Sequence, residues 1–217
     1  MYIPKHTKMK NEDEIFDFIE SNNFGILVTL NDSKITATHI PFLLKKGKEK
    51  YGELYCHIAK ANPQHQNISG EVLVIFPGAH KYISSGWYES DQTVPTWNYM
   101  SVHVYGELQV IIDRDEKFEI IKELVDLFEP DKDIYSLDNL KPEYLENLLK
   151  GIVAFRIAIS SVEGKEKLSQ NHSMQRQKIV IDKLTEIGDT DSLLIADRMK
   201  INLSTDKISG TDSPNIP

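Results

Sequence analysis

The sequence lacks most of the features that betray a chain's chemistry at a glance. It has one cysteine, Cys56, so no intrachain disulfide can form. Cys56 lies in the apolar-alternating run Leu54-Tyr55-Cys56-His57-Ile58, where a free cysteine is expected to behave as a small buried hydrophobe. A lone thiol suits a reducing compartment. No apolar run reaches the length of a membrane-spanning helix. The opening Met1-Tyr2-Ile3-Pro4-Lys5-His6 lacks the apolar stretch of a secretion signal. A cytoplasmic protein with no membrane partner is therefore expected. A basic excess is missing too: 25 Lys and Arg stand against 33 Asp and Glu, a formal net charge of −8. DNA-binding modules draw much of their affinity from a basic face on phosphates, so direct DNA contact is the weaker expectation. There is no GxGxxG, no phosphate-binding loop between a strand and a helix, no GxSxG elbow and no HExxH. The seven histidines are scattered and Cys56 beside His57 is too little for zinc, so no metal site is expected.

What is present reads as a small barrel with helices around it. A length of 217 residues suits one domain with additions. Residues 11–21 carry an apolar helical face through Ile15, Phe16, Phe18 and Ile19. Strands are expected at residues 25–30, 35–40, 42–44, 53–58, 72–76 and 101–112, the last long enough to bend at Gly106. Asn31-Asp32-Ser33 is turn chemistry. Residues 117–128 and 142–150 read as helices, the second with Pro142 in its first turn. A further strand follows at residues 153–159. Helices are expected at 173–187, ending before Gly188, and at 191–200. That last pair carries Arg176, Lys178, Lys183, Arg198 and Lys200 among several acids, a poor match to a DNA-reading helix pair. Residues 202–217 are polar and aperiodic, as in a tail. Lys45, Lys46, Lys48 and Lys50 around Gly47 read as a solvated hairpin turn, or else a small phosphate-contacting loop.

Four stretches suit a ligand. Both tryptophans and three of the nine tyrosines fall within 18 residues, in Lys81-Tyr82-Ile83-Ser84-Ser85-Gly86-Trp87-Tyr88 and Val94-Pro95-Thr96-Trp97-Asn98-Tyr99. Aromatic faces stack on planar ligands, while hydroxyls and amides fix ligand edges. The same rings would equally plug a barrel end or a dimer seam. In Thr36-Ala37-Thr38-His39-Ile40-Pro41 the hydroxyls of Thr36 and Thr38 recur at period two and share a strand face. They suit a phosphate or ring edge, although ordinary strand filler is the plainer reading. In His57-Ile58-Ala59-Lys60-Ala61-Asn62-Pro63-Gln64 a turn at Asn62-Pro63 offers backbone N–H groups, with Lys60 adding charge. A capped turn is the default there. Finally, Gly164-Lys165-Glu166-Lys167-Leu168-Ser169-Gln170-Asn171 is a compact polar set suited to a phosphate, or simply a solvated loop.

Within those stretches Thr38-His39-Ile40-Pro41, His57-Ile58-Ala59-Lys60-Ala61-Asn62-Pro63-Gln64, Ser85-Gly86-Trp87-Tyr88, Val94-Pro95-Thr96-Trp97-Asn98-Tyr99 and Lys167-Leu168-Ser169-Gln170-Asn171, together with Met1-Tyr2-Ile3-Pro4 and Val102-His103-Val104-Tyr105-Gly106, resemble the PaiB family in order from residue 1 to about residue 200. That family is described as FMN-binding negative transcriptional regulators linked to protease production and sporulation in Bacillus. The resemblance implies an α+β fold: an FMN-binding split barrel, a β-barrel with peripheral helices. Residues 1–170 would form the barrel domain with inserted helices, 171–201 a C-terminal helical extension and 202–217 the polar tail. It implies a homodimer with FMN between two subunits. The residues it points to for the cofactor are Thr36, Thr38, His39, Ile40, His57, Ala59, Lys60, Asn62, Ser85, Trp87, Tyr88, Thr96, Trp97, Asn98, Tyr99, Lys167, Ser169, Gln170 and Asn171. No catalytic residue is assigned, although Tyr88, His39 or Tyr99 would suit proton transfer. The alternative function is an FMN-dependent oxidoreductase or flavin reductase on the same barrel; a haem-binding version of the barrel is weaker. The chain departs from the family pattern at Glu166, where a Trp is common, and at the acidic loop 89–93, where basic residues are common. An acid near a phosphate site is expected to weaken anion binding.

Overall fold

A computed structural model describes residues 1–47, 50–88 and 93–209, with side chains to 205. The elements in order are α1 (Glu12–Ser21), β1 (Phe24–Asn31), β2 (Lys34–Pro41), β3 (Leu43–Lys45), β4 (Glu53–Ala59), β5 (Val72–Ile83), β6 (Thr96–Ile111), α2 (Arg114–Phe128), α3 (Pro142–Lys150), β7 (Ile152–Lys167), α4 (Met174–Ile187) and α5 (Thr190–Ser209). The strands form one sheet in the order β2-β1-β5-β6-β7-β4-β3. The β1–β2, β1–β5, β3–β4 and β4–β7 pairs are antiparallel. Two compact units divide the chain: residues 1–12, 77–101 and 164–217 form one, and 13–76 with 102–163 the other.

Local chemistry explains most boundaries. β1 and β2 close on Asn31 and Lys34. Asp32 and Ser33 between them both take positive φ, 49° and 64°, the geometry a two-residue hairpin loop demands. Asp113 caps α2 by accepting from the N–H groups of Asp115 and Glu116. Pro142 opens α3. Ser173 caps α4, which ends on Gly188 at φ 74°.

In the larger unit the buried strand positions alternate: Leu27 and Thr29 on β1, then Val72, Val74 and Phe76 on β5. Such alternation is what a sheet packed on one face requires. Leu54, Cys56 and Ile58 of β4 and Phe155 and Ile157 of β7 complete this interior. Burial also pushes the Cys56 thiol up, leaving it a structural hydrophobe. α2 covers a second cluster of Tyr55, Ile111, Ile120, Leu124 and Ala154. A Cβ on Gly106 would stand 2.4 Å from the Ala158 carbonyl oxygen and 2.8 Å from Ile157 Cγ2, so only glycine lets β6 pass β7 this closely.

The smaller unit packs Val180, Ile181 and Leu184 of α4 and Ile195, Ala196 and Met199 of α5 on Ala79, Ile83, Tyr88 and Leu168. Helix spacing of three and four residues puts each triplet on one face.

Several strands run further than periodicity suggests. β5 continues through Pro77-Gly78 to Ile83; its buried positions go 72, 74, 76 and then step to 79, where the strand passes from the larger unit into the smaller. β6 begins at Thr96, so Thr96-Trp97-Asn98-Tyr99 is strand and not loop. β7 runs to Lys167, which makes Gly164 to Lys167 strand as well. α5 reaches Ser209, so the start of the segment expected as a polar tail is helical. Its anchors are long-range: Asn202 is buried on Glu166, and Leu203 packs on the helical cluster. Residues 210–217 of that tail lie outside the described residues. In the lysine turn, Lys45 bonds Glu123 at 2.6 Å and Lys46 stands 4.0 Å from Glu20, as expected of a solvated hairpin; Lys48 is outside the described residues.

Candidate functional site

The sequence candidates fall into three groups. In the larger unit, two of the stretches meet on Gln64, a buried residue that closes the second of them and was assigned no role from the sequence. The Thr38 hydroxyl donates to Gln64 Oε1 at 2.5 Å and accepts from Asn62 Nδ2 at 3.1 Å. Gln64 Nε2 is shared among Thr29 Oγ1 at 3.0 Å, the Leu27 carbonyl at 3.1 Å and the Thr36 carbonyl at 3.3 Å. Asn62 Oδ1 caps the 3-10 turn Pro63–His65 by accepting from Gln64 N at 3.0 Å. A buried amide must be satisfied on both its atoms, and the network does this. The one hydroxyl proton of Thr38 is thereby committed inside the protein. Ile40 is buried, while His39, Ala59 and Lys60 are exposed. The pairing of Gln64 with strands β1 and β2 has no signature at short range, which is why sequence periodicity missed it.

His57 behaves differently. It sits half-buried on β4, its Nδ1 buried without a partner, and burial lowers its pKa. None of the other sequence candidates joins it in lining the cavity beside α2.

In the smaller unit, Ser169 is the hub. Asn98, fully buried on β6, donates from Nδ2 to Ser169 Oγ at 3.1 Å, and Ser169 Oγ lies 3.2 Å from Asn98 Oδ1. The buried Tyr88 hydroxyl is 3.4 Å from the same Oγ, and burial raises its pKa. Its ring lies 4.7 Å from that of His172. Ser169 holds φ at 64°, a left-handed conformation that costs a non-glycine residue on the order of 1 kcal/mol and persists only where its surroundings enforce it. Gln170 folds back on its own chain, donating to the Glu166 carbonyl at 2.6 Å and accepting from Leu168 N at 2.7 Å. Ser84 caps the turn Ser85–Trp87; Trp87 is half-buried against the helical cluster, and Asn171 is exposed.

The remaining residues on β6 and β7 make three separate groups of contacts. Lys167 Nζ bonds the Thr96 hydroxyl. Lys165, 8% exposed, donates to the Tyr2 carbonyl at 3.0 Å, with its Nζ 5.3 Å from the centre of the Tyr99 ring and 5.8 Å from that of Tyr2. Neither lysine meets a carboxylate among the described residues. Trp97 is 53% exposed, 6.1 Å from the His80 ring and 5.8 Å from the Tyr82 ring.

The expected penalty from Glu166 needs correction. Its carboxylate is buried, paired with Arg198 Nε at 2.6 Å and with Asn202 Nδ2 at 2.9 Å. The charge is answered from α5, which turns an apparent source of repulsion into an anchor for that helix. The acidic loop lies, apart from Thr93, outside the described residues.

Comparison with known proteins follows the same line. Residues 1–161 match the family described as "Putative FMN-binding domain". The chain belongs to this family. Within it, the chain is 38% identical over 206 residues to the Protease synthase and sporulation protein PAI 2 of Bacillus subtilis (strain 168), covering 94% of this chain and 98% of that one. The fold also resembles the flavocytochrome Anf3 of Azotobacter vinelandii, with a TM-score of 0.61 at 12% identity over 76% of this chain and 72% of that one. An FAD and haem binding protein of Mycobacterium smegmatis aligns with a TM-score of 0.56 at 15% identity over 79% and 78%. The likeness establishes the family's fold here, a split β-barrel with peripheral helices. Among the described residues no helix is long and apolar enough to cross a membrane, and no three His, Cys, Asp or Glu side chains cluster as metal ligands.

Proposed function

We propose that this chain is an FMN-binding regulator of transcription that works as a homodimer. The carrying observation is the pair of lysines on β7, Lys165 and Lys167, which face rings and a hydroxyl instead of acids. A phosphate tail needs positive charge that no carboxylate neutralises, and a flavin ring needs a flat apolar wall. Lys167, Lys165, Thr96, Tyr99 and the open face of Trp97 supply both chemistries. The hydrogen bonds around Ser169 lock that wall in place, as a binding site requires of its supporting residues. Glu166, neutralised by Arg198, does not oppose an anion.

In the larger unit His39, Ala59 and Lys60 are exposed and so able to meet a flavin held by a second copy. The exposed Trp97, with His80 and Tyr82, suits the seam of such a dimer, because aromatic side chains are enriched at interfaces. Tyr88, Asn98 and Ser169 act as support for that wall, since their polar atoms are already engaged; those of Thr38 and Asn62 are engaged within the larger unit.

Bound FMN supplies redox chemistry. The Tyr88 hydroxyl, weighed above as a proton donor, is instead spent on Ser169, which favours the regulatory reading over turnover. The name of the Bacillus relative, with its link to protease synthesis and sporulation, supports the same reading. The net charge of −8 argues for an indirect effect on transcription.

Titrating the purified protein with FMN tests this, with flavin fluorescence and light scattering as readouts. One FMN per chain on a particle of two chains is expected. A monomer that leaves flavin fluorescence unchanged would overturn the proposal.

A further inference from the structure

A second binding site lies away from the lysines, in the unit of residues 13–76 and 102–163. A cavity of about 320 Å³ opens there between β4, the end of β2 and α2. Its walls are Ile121, Leu124, Val125 and Phe128 from one face of α2, with His57 opposite and Glu129 at the helix end. That volume is at the small end of the range for ligand pockets, about 300–1,000 Å³. Phe128 stays 51% exposed and Tyr135 39% exposed beside it, so the apolar lining is not folded shut.

The polar groups restrict what fits. His57 has a buried Nδ1 with no partner and makes no side-chain hydrogen bond among the described residues. Burial holds the ring below its ordinary pKa, which favours the neutral imidazole with one N–H and one bare nitrogen. That imidazole is a polar group with no partner among the described residues. Glu129, exposed at the rim, repels anions. A phosphate-tailed cofactor has the wrong charge for this place.

We infer that the α2 cavity binds an uncharged, largely apolar small molecule with one polar group that hydrogen-bonds to the His57 ring. The site is separate from the flavin site proposed above.

The neutral fluorophore N-phenyl-1-naphthylamine and its anionic relative 1-anilinonaphthalene-8-sulfonate test it on the full-length protein. The neutral dye should bind saturably at one site per chain, and the sulfonate much more weakly. Val125→Trp, which fills the cavity, should weaken the neutral dye at least tenfold, while Val125→Ala, which enlarges it, should retain binding. Glu129→Lys should bring the sulfonate up toward the neutral dye. FMN should leave dye fluorescence unchanged. Three results would overturn the inference: no saturable binding, equal binding to Val125→Trp and wild type, or displacement of the dye by FMN. The last would merge the two sites without touching flavin binding itself.

Discussion

Arg198 shows how far a single side chain reaches in this protein. Its guanidinium answers the buried carboxylate of Glu166 at 2.6 Å. Removing one partner of a buried ion pair leaves an uncompensated charge, and the loss usually exceeds what the pair contributed. Arg198→Met is therefore expected to destabilise the chain by about 3 kcal/mol, while Glu166→Gln with Arg198→Met loses less. Urea midpoints of the two variants check this, and equal losses would contradict it. Three imidazoles, on His57, His103 and His172, are held below their ordinary value of 6.5 by burial. The folded chain keeps them neutral while the unfolded chain protonates near 6.5, so acid favours unfolding. Their contribution is complete above that pH and is lost as pH falls toward the lowered folded values. The urea midpoint should drop on acidification across this window, and less steeply in His57→Phe. A midpoint that holds constant or rises would refute the assignment of burial as the cause.

At the scale of elements, β6 and β7 are the strands that position the site. Each is 16 residues long, and they cross closely where Gly106 meets Ala158. Gly106→Ala forces a methyl against a backbone carbonyl that cannot move aside, so a loss of about 2 kcal/mol or more is expected, read as a lowered thermal midpoint. An unchanged midpoint would mean that the strands separate without cost. The helices and most strands were legible from periodicity, capping residues and turn chemistry, because those signals act within a few residues. Strand ends were not. The strand expected at 72–76 continues through Pro77-Gly78 to Ile83. Glu166 and Asn202 are 36 positions apart and meet only when α5 docks, so the last turns of that helix read as tail.

For the molecule as a whole, the proposed flavin grip is electrostatic at its phosphate end and apolar at its ring end. Rising salt should therefore weaken FMN more than riboflavin, which has no phosphate. Lys167→Met should cost FMN about tenfold in affinity and leave riboflavin unchanged, the size expected for one charge-assisted contact. Equal effects on both flavins, measured by fluorescence quenching, would remove Lys167 from the phosphate.

The amino-acid order by itself determined the family, the run of elements and the short segments rich in rings and polar groups, since motif and period are properties of neighbouring residues. It also marked Glu166 as unusual. Only the tertiary structure decided which of those groups are spent and which are free. Thr38 and Asn98 look like ligand contacts in the chain but are consumed by Gln64 and Ser169, while Lys167 meets no carboxylate among the described residues and His57 lines a cavity beside α2. The reason is that a hydrogen-bonding group carries no mark of its partner until folding brings distant segments within about 3 Å.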